Sequence, residues 1–345
     1  MGLRIRSCCF RLLLSLLALL VLPGCGGGRQ DSGLRIGVIL YAQDDTFIST
    51  VAQNLERLVR EAESETGQKI TLFISDSKSN QTTQMNQVDR LLARDCDVLC
   101  VNIVDRTAAA VIVDKAAAEG VPLIFFNRQP VAEDIQRWEH TYYVGASARE
   151  SGTLQGQLVL EVWRTDRERL DRNGDGVLQY VMLEGEPGHQ DSLLRTEYSI
   201  KALTDGGVEV EKLANETANW NRAQAAARTS QWLEEVGREM EVILANNDDM
   251  ALGAIDALME RNQADWPLIV GVDATAPALE AVASEQLYGT VLNDSRGQAQ
   301  AMLDMALAIR AREDPASVVN LTDGHYVWLP YQKVTLENLE DFRVP

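Results

Sequence analysis

The chain has 345 residues, with 32 basic and 51 acidic side chains and a formal net charge of −19. That length accommodates two ordinary domains, and the acidic balance argues against nucleic acid or an anionic membrane surface as a partner. The acids are dispersed rather than gathered in a tail, as on a solvated surface. Its three histidines (His140, His189, His325) and five cysteines form no cluster with zinc-ligand spacing.

The amino terminus reads as an export address. Arg4, Arg6 and Arg11 precede an apolar run, Leu12 to Leu22, shorter than the roughly 20 residues needed to span a bilayer. The run ends in Leu22-Pro23-Gly24-Cys25, which resembles the lipobox of bacterial lipoproteins. The resemblance implies a signal peptide over 1–24, diacylation of Cys25, and an anchor and flexible tether over 25–33. The expected location is the extracytoplasmic side of a bacterial membrane; a plain secretory peptide is the alternative. Cleavage removes three of the 32 basic residues, leaving 29 against 51 acids, a net −22. Cys96 and Cys100 flank Asp97-Val98-Leu99, a predicted strand start. An extended chain sets them roughly 13 Å apart, too far for a disulfide, so buried free thiols are expected.

From Leu34 onward, short apolar runs alternate with amphipathic ones. Strands are predicted at 35–40, 70–74, 98–104 and 121–126, with helices at 48–65, 81–93 and 108–119 between them. The rhythm then repeats: helix 148–164, strand 177–183, helix 191–206, strand 208–213, helix 222–235, strand 241–245, helix 249–262, strand 267–272. Alternation of this kind predicts two doubly wound parallel-sheet units in tandem, an α/β protein.

Ligands of such sheets sit beyond the carboxyl ends of the strands. Those ends carry Tyr41, Asp44, Asp45 and Phe47; Asn127; Glu184 to Asp191 with His189; Asn246, Asn247 and Asp248; Asp273; and Asn293-Asp294. Carboxylates, carboxamides and an arginine there complement a dense array of hydroxyl groups, which both donate and accept. Phe47 and Trp220 could supply apolar faces for the C–H side of a sugar ring. Each residue alone has a plainer reading, since Asp and Asn after strands start turns or cap helices and a lone aromatic packs in a core. Their recurrence at equivalent topological places carries the functional reading.

Asp171-Arg-Asn173-Gly-Asp175-Gly176-Val177-Leu-Gln179 matches the first nine positions of an EF-hand loop. It supplies oxygens at positions 1, 3, 5 and 9, a backbone carbonyl at 7 and glycine at 6. Position 12, where a bidentate glutamate belongs, is Met182. The loop either recruits a remote carboxylate or is an Asp/Asn/Gly turn without a metal.

Taken in order, Arg35-Ile-Gly-Val, Asp44-Asp45-Thr-Phe47, Phe125-Phe-Asn127, Gly185-Glu-Pro-Gly-His189, Ala245-Asn-Asn247-Asp, Gly271-Val-Asp273 and Thr290-Val-Leu-Asn293-Asp294 resemble the galactose/glucose-binding family of bacterial sugar uptake and chemotaxis. The similarity runs from about Leu34 to Tyr331. It implies the type I periplasmic binding protein fold, two lobes joined by a three-segment hinge. The implied N-terminal lobe is 34–145 plus 294–327 and the C-terminal lobe 146–293 plus 328–345, with crossings near Gly145-Ala146, Asn293-Ser295 and Val327-Trp328. It implies that Asp45, Asn127, His189, Asp191, Arg195, Asn247, Asp273 and Asn293 hydrogen-bond a sugar between the lobes, while Phe47 and Trp220 sandwich its ring. A structural calcium ion would take Asp171, Asn173, Asp175, Val177 (through its carbonyl) and Gln179, with Glu241 as the remote carboxylate. Gln43, Gln190 and Asn219 depart from the family pattern beside the site.

The implied protein is a monomeric binding protein, not an enzyme. It would deliver D-glucose or D-galactose to the membrane subunits of an ABC permease, with a chemoreceptor as a further partner in the family. Three other readings stand beside it: a binding protein for a different monosaccharide, a carbohydrate-active enzyme using paired carboxylates, and a repressor's sugar-sensing domain. The last would need a helix-turn-helix in place of the lipobox.

Overall fold

The described residues of this computed structural model are 33–262 and 265–343; the signal peptide and Cys25 lie outside them. The first lobe opens with β1 (Leu34–Leu40), α1 (Thr46–Thr66), β2 (Ile70–Asp76), α2 (Gln81–Leu92), β3 (Val98–Val101), α3 (Ala109–Glu119), β4 (Leu123–Phe126), a short α4 (Ala132–Ile135) and β5 (Thr141–Ala146). The second comprises α5 (Ala148–Thr165), β6 (Val177–Glu184), α6 (Gln190–Asp205), β7 (Glu209–Thr217) and α7 (Arg222–Glu235). It continues with β8 (Val242–Ala245), α8 (Asp248–Glu260), β9 (Leu268–Val270), α9 (Ala276–Ala283) and β10 (Gly289–Leu292). The chain returns to the first lobe for α10 (Ser295–Ala311) and β11 (Tyr326–Leu329), and ends in the second with β12 (Gln332–Thr335).

Each lobe holds one six-stranded sheet, in the orders β11-β5-β4-β3-β1-β2 and β12-β10-β9-β8-β6-β7. Neighbours run parallel except β12, which is antiparallel to β10. Strands β3 (VLCV), β4 (LIFF) and β8 (VILA) are buried throughout, as befits parallel strands covered on both faces. Cys96 and Cys100 are buried free thiols in this layer, and burial pushes Cys100 up to about 12. Strand order reverses between β1 and β3 and again between β6 and β8, so each sheet has a switch point at its carboxyl edge.

Three of the differences from the sequence expectation have a direct physical cause. Helix α1 begins two residues before Ile48, because the Asp45 side chain caps it. Strand β7 runs four residues beyond 213, since its polar residues lie on an edge strand with one face in water. The third crossing falls at Pro330–Tyr331 rather than at Val327–Trp328. Strand β11 pairs Trp328 with Gly145 and Leu329 with Ala146, and Trp328 stacks on Tyr326 at 5.5 Å, two residues away on the same face. Residues 328 and 329 therefore belong to the first sheet.

Candidate functional site

Several residues singled out at the strand ends serve as helix caps, and the capping leaves a second polar atom free for other partners. Asp45 accepts the Ile48 N–H through Oδ1 (2.9 Å) while Oδ2 takes the Tyr41 hydroxyl (2.6 Å). Asn247 caps α8 through Oδ1 and gives its amide N–H to the Trp220 carbonyl at 3.3 Å. His189 caps α6 by accepting the Asp191 N–H at Nδ1 (3.1 Å). The neutral imidazole therefore carries its proton on Nε2, as a donor.

Nine of the ten sequence-predicted ligand residues line one cavity between the lobes: Asp45, Phe47 and Asn127 from the first, and His189, Asp191, Arg195, Trp220, Asn247 and Asp273 from the second. Its empty space, with the part open to solvent included, is about 340 Å³. Asn293 stands one step behind. It is buried, gives Nδ2–H to Asp273 Oδ1 at 3.2 Å, and accepts from Gln298 at 2.9 Å. Tyr41, Ile48 and Arg128 complete the lining. Sequence reasoning missed Arg128; the available signal was a cation directly after Asn127 at the end of β4.

Arg195 anchors the second lobe's contribution. Its guanidinium gives hydrogen bonds to Ser151 Oγ (3.2 Å), the Asn246 carbonyl (2.7 Å), the Tyr331 hydroxyl (3.2 Å) and Asp191 Oδ2 (3.3 Å), and lies 3.9 Å from Asp273. Its place is set by Gly152 and Gly156 on α5. A Cβ at 152 would stand 2.9 Å from the Arg195 Cα, and one at 156 would stand 2.2 Å from the Ser199 carbonyl oxygen. Only bare glycines let α6 approach so closely.

Burial governs the ionisation. It raises Asp191, an effect Arg195 opposes. It lifts Asp273 well above its ordinary value, again opposed by Arg195 but reinforced by Asp248 and Asp45. Burial also drives His189 well below its usual value, with Arg128, Arg195 and Arg106 adding to the effect. Burial alone would lower Arg195, but Tyr331, Asp273 and Asp191 more than reverse this and hold it charged.

Backbone strain is gathered here too. Asn127 (φ 58°), Trp220 (φ 62°) and Asp273 (φ 122°) all occupy the left-handed half of conformational space, which costs side-chain-bearing residues about 1–3 kcal/mol each. The 273–275 turn is held from behind by Asp248, which accepts from Thr290 Oγ1 (2.6 Å) and Thr275 N (2.8 Å). The result is a fixed set of carboxyl groups (Asp45, Asp191, Asp273), two-way amides (Asn127, Asn247) and donors (Arg195, neutral His189), with an aromatic side chain from each lobe. Such a set can hydrogen-bond a polyhydroxylated ring in one orientation.

The nine-residue loop 171–179 precedes and opens β6. Gly174 (φ 72°) and Gly176 (φ 87°) take its left-handed positions. Asp171 Oδ2 accepts from Gly176 N and Arg167 Nε, while Oδ1 is buried without a hydrogen-bond partner. Glu241 reaches the loop from the start of β8 and accepts from Arg172 N (2.7 Å) and Gln179 N (3.0 Å). Among the described residues no three or more His, Cys, Asp or Glu side chains are gathered as a metal cage. The loop's oxygens would come equally from Asn173, Gln179 and the Val177 carbonyl. Both amides now turn N–H toward Asp175 Oδ2, at 2.8 and 2.9 Å, so ligation requires each to present its oxygen instead. An orphaned buried carboxylate oxygen inside a set of hard oxygen donors fits calcium.

Comparison with known proteins agrees with this architecture. The chain is 37% identical over 332 residues to the D-galactose/methyl-galactoside binding periplasmic protein MglB of Haemophilus influenzae, spanning 95% of this chain and 98% of that one. It is 30% identical over 310 residues to a putative rhizopine-binding protein of Rhizobium meliloti, covering 89% and 92%. A solved ABC transporter solute binding protein from Bacillus halodurans, with bound myo-inositol, superposes with a TM-score of 0.73 at 29% identity, covering 90% and 97%. The family described as periplasmic binding protein domain matches residues 36–314. The chain belongs to the periplasmic binding protein family, a family of binding proteins rather than enzymes.

Proposed function

We propose that the chain captures one monosaccharide, D-glucose or D-galactose, between its two lobes and delivers it to an ABC sugar permease. The carrying observation is the cavity itself, where carboxylates, amides and a buried arginine converge with one aromatic from each lobe. A ligand touching both lobes binds the closed form better and biases the hinge toward closure. Galactose in the name of the Haemophilus relative supports a hexose. Another monosaccharide is the second reading: the Bacillus structure holds a different six-membered polyol, and Gln190, a departure from the family pattern, here bonds Gln129 across the cleft at 3.0 Å.

Anchoring through Cys25, contact with a chemoreceptor and a calcium ion in the 171–179 loop belong to the same proposal. The anchor rests on the lipobox-like sequence, and the calcium on the loop's oxygen set and the orphaned Asp171 Oδ1. When bound, the ion would tie the loop to Glu241 and stabilise the second lobe. The site assignment is tested by calorimetry. Asp45→Ala and Asp273→Ala should each abolish hexose binding while the fold survives, and unchanged affinity in both would refute it.

A further inference from the structure

The ligand cavity is flanked by two larger interlobe grooves, with empty spaces of about 990 and 1280 Å³. One ion pair stands where the three spaces meet. Arg128 borders the cavity and the first groove, and Glu186 borders both grooves. Arg128 follows β4 in the first lobe and Glu186 follows β6 in the second, and their side chains meet at 2.8 Å.

Arg128 is only 4% exposed. Its guanidinium lies 3.4 Å from the centre of the Tyr41 ring, a cation–π stack, and Nη1 donates to the Val104 carbonyl at 3.2 Å. Tyr41 in turn donates its hydroxyl to Asp45 Oδ2 at 2.6 Å. A continuous chain of contacts thus links a carboxylate of the second lobe to a cavity carboxylate of the first. Away from the hinge, two other side-chain bonds among the described residues tie the lobes, Thr46 Oγ1 to Asp249 Oδ2 (2.7 Å) and Gln190 to Gln129 (3.0 Å). None of those four residues lines the cavity.

We propose that Arg128 and Glu186 form an interlobe latch in which Arg128 is a positioning residue for Asp45, so that lobe closure and completion of the ligand cavity are one event. The role of Asp45 in this scheme rests on the reading of the cavity as a sugar site. When the lobes part, Glu186 withdraws and leaves a guanidinium buried against an aromatic ring with one carbonyl acceptor. Separation is thereby penalised, and Tyr41 loses the clamp that holds its hydroxyl on Asp45. The latch raises the closed fraction of the sugar-free protein and slows release of bound sugar.

The test uses the full chain carrying one spin label on each lobe, with interlobe distances read by pulsed electron resonance without sugar. Glucose release is followed separately by tryptophan fluorescence in stopped flow. Glu186→Gln keeps the side chain's shape and removes its charge. Its sugar-free distances should shift to longer values, and release should be about ten times faster, as for loss of one partner of a part-buried pair. The unfolding midpoint should not change. Arg128→Lys keeps the charge but loses the fork and the stack, and should shift both readouts the same way; if it does not fold, the half-exposed Glu186 variant decides alone. Unchanged distances together with unchanged release overturn the latch. If the wild type binds no monosaccharide, the sugar reading fails, while the sugar-free distances still decide whether the lobes are latched.

Discussion

The indole of Trp220 rests against the bare α-carbon of Gly185: a Cβ there would stand 2.2 Å from two of its ring carbons. Trp220 itself sits at φ 62° and makes an edge contact with the His189 ring at 5.3 Å. Its place is therefore set by a glycine, a strained backbone and a neighbouring imidazole. Gly185→Ala should displace the indole. Overpacking of about 1–3 kcal/mol, relieved only by moving the indole off the sugar face, translates to a roughly 5- to 150-fold loss of sugar affinity with the fold retained. Calorimetry combined with near-ultraviolet circular dichroism checks this; unchanged affinity would place Trp220 outside the ligand site.

Asp248 gives a pH signature. Burial raises its pKa from 3.8 to about 7, against the hydrogen bonds from Thr290 and Thr275 that lower it. The folded state then holds this proton more tightly than the unfolded chain, so this group's contribution to stability falls as pH rises from about 4 to about 7. Asp248→Asn removes the dependence. Relative to wild type, the variant should gain unfolding free energy between about pH 4.5 and pH 7.5 and level off above. His189, depressed in the fold, acts oppositely below its usual value of 6.5, but it is common to both proteins and cancels in the difference. Urea unfolding at the two pH values measures it, and a pH-independent difference would contradict it.

Calcium should be visible as stability. An ion held only by the folded state stabilises it in proportion to the logarithm of its concentration over the dissociation constant. A chelator should therefore lower the melting temperature of the wild type by several degrees and leave that of Asp171→Ala unchanged. Equal chelator effects in the two proteins, or none in the wild type, would mean that the 171–179 loop is a metal-free turn.

Membrane attachment is tested by Cys25→Ser. Expressed in a bacterial host with labelled fatty acid, the wild type should carry the label and partition with membranes, and the variant should do neither. Label retained by the variant would exclude Cys25 as the anchor.

Much of this architecture could be read directly from residue patterns. Buried strands such as Leu123-Ile-Phe-Phe126 and the polar residues that follow them marked both sheets and their carboxyl edges. Asp45, His189 and Asn247 could be read as caps or as ligands, and they cap helices while also lining the cavity. Other features depend on what lies opposite in space. The departure of β11 from the expected boundary follows from its pairing with β5, some 180 residues earlier. Arg128 gained meaning only when Glu186 arrived from the other lobe. Asn293 moved from the cavity wall to a support of Asp273 because its side chain is committed to that carboxylate and to Gln298. The left-handed backbone at Trp220 and Asp273 leaves no pattern in the residue types themselves.

The most direct test is a calorimetric titration of the purified wild-type protein against a panel of monosaccharides, with and without a calcium chelator. The cleft described above predicts one sugar per chain, with glucose or galactose binding more tightly than the pentoses and other hexoses. Absence of binding heat for every monosaccharide, or a ratio other than one per chain, would contradict it.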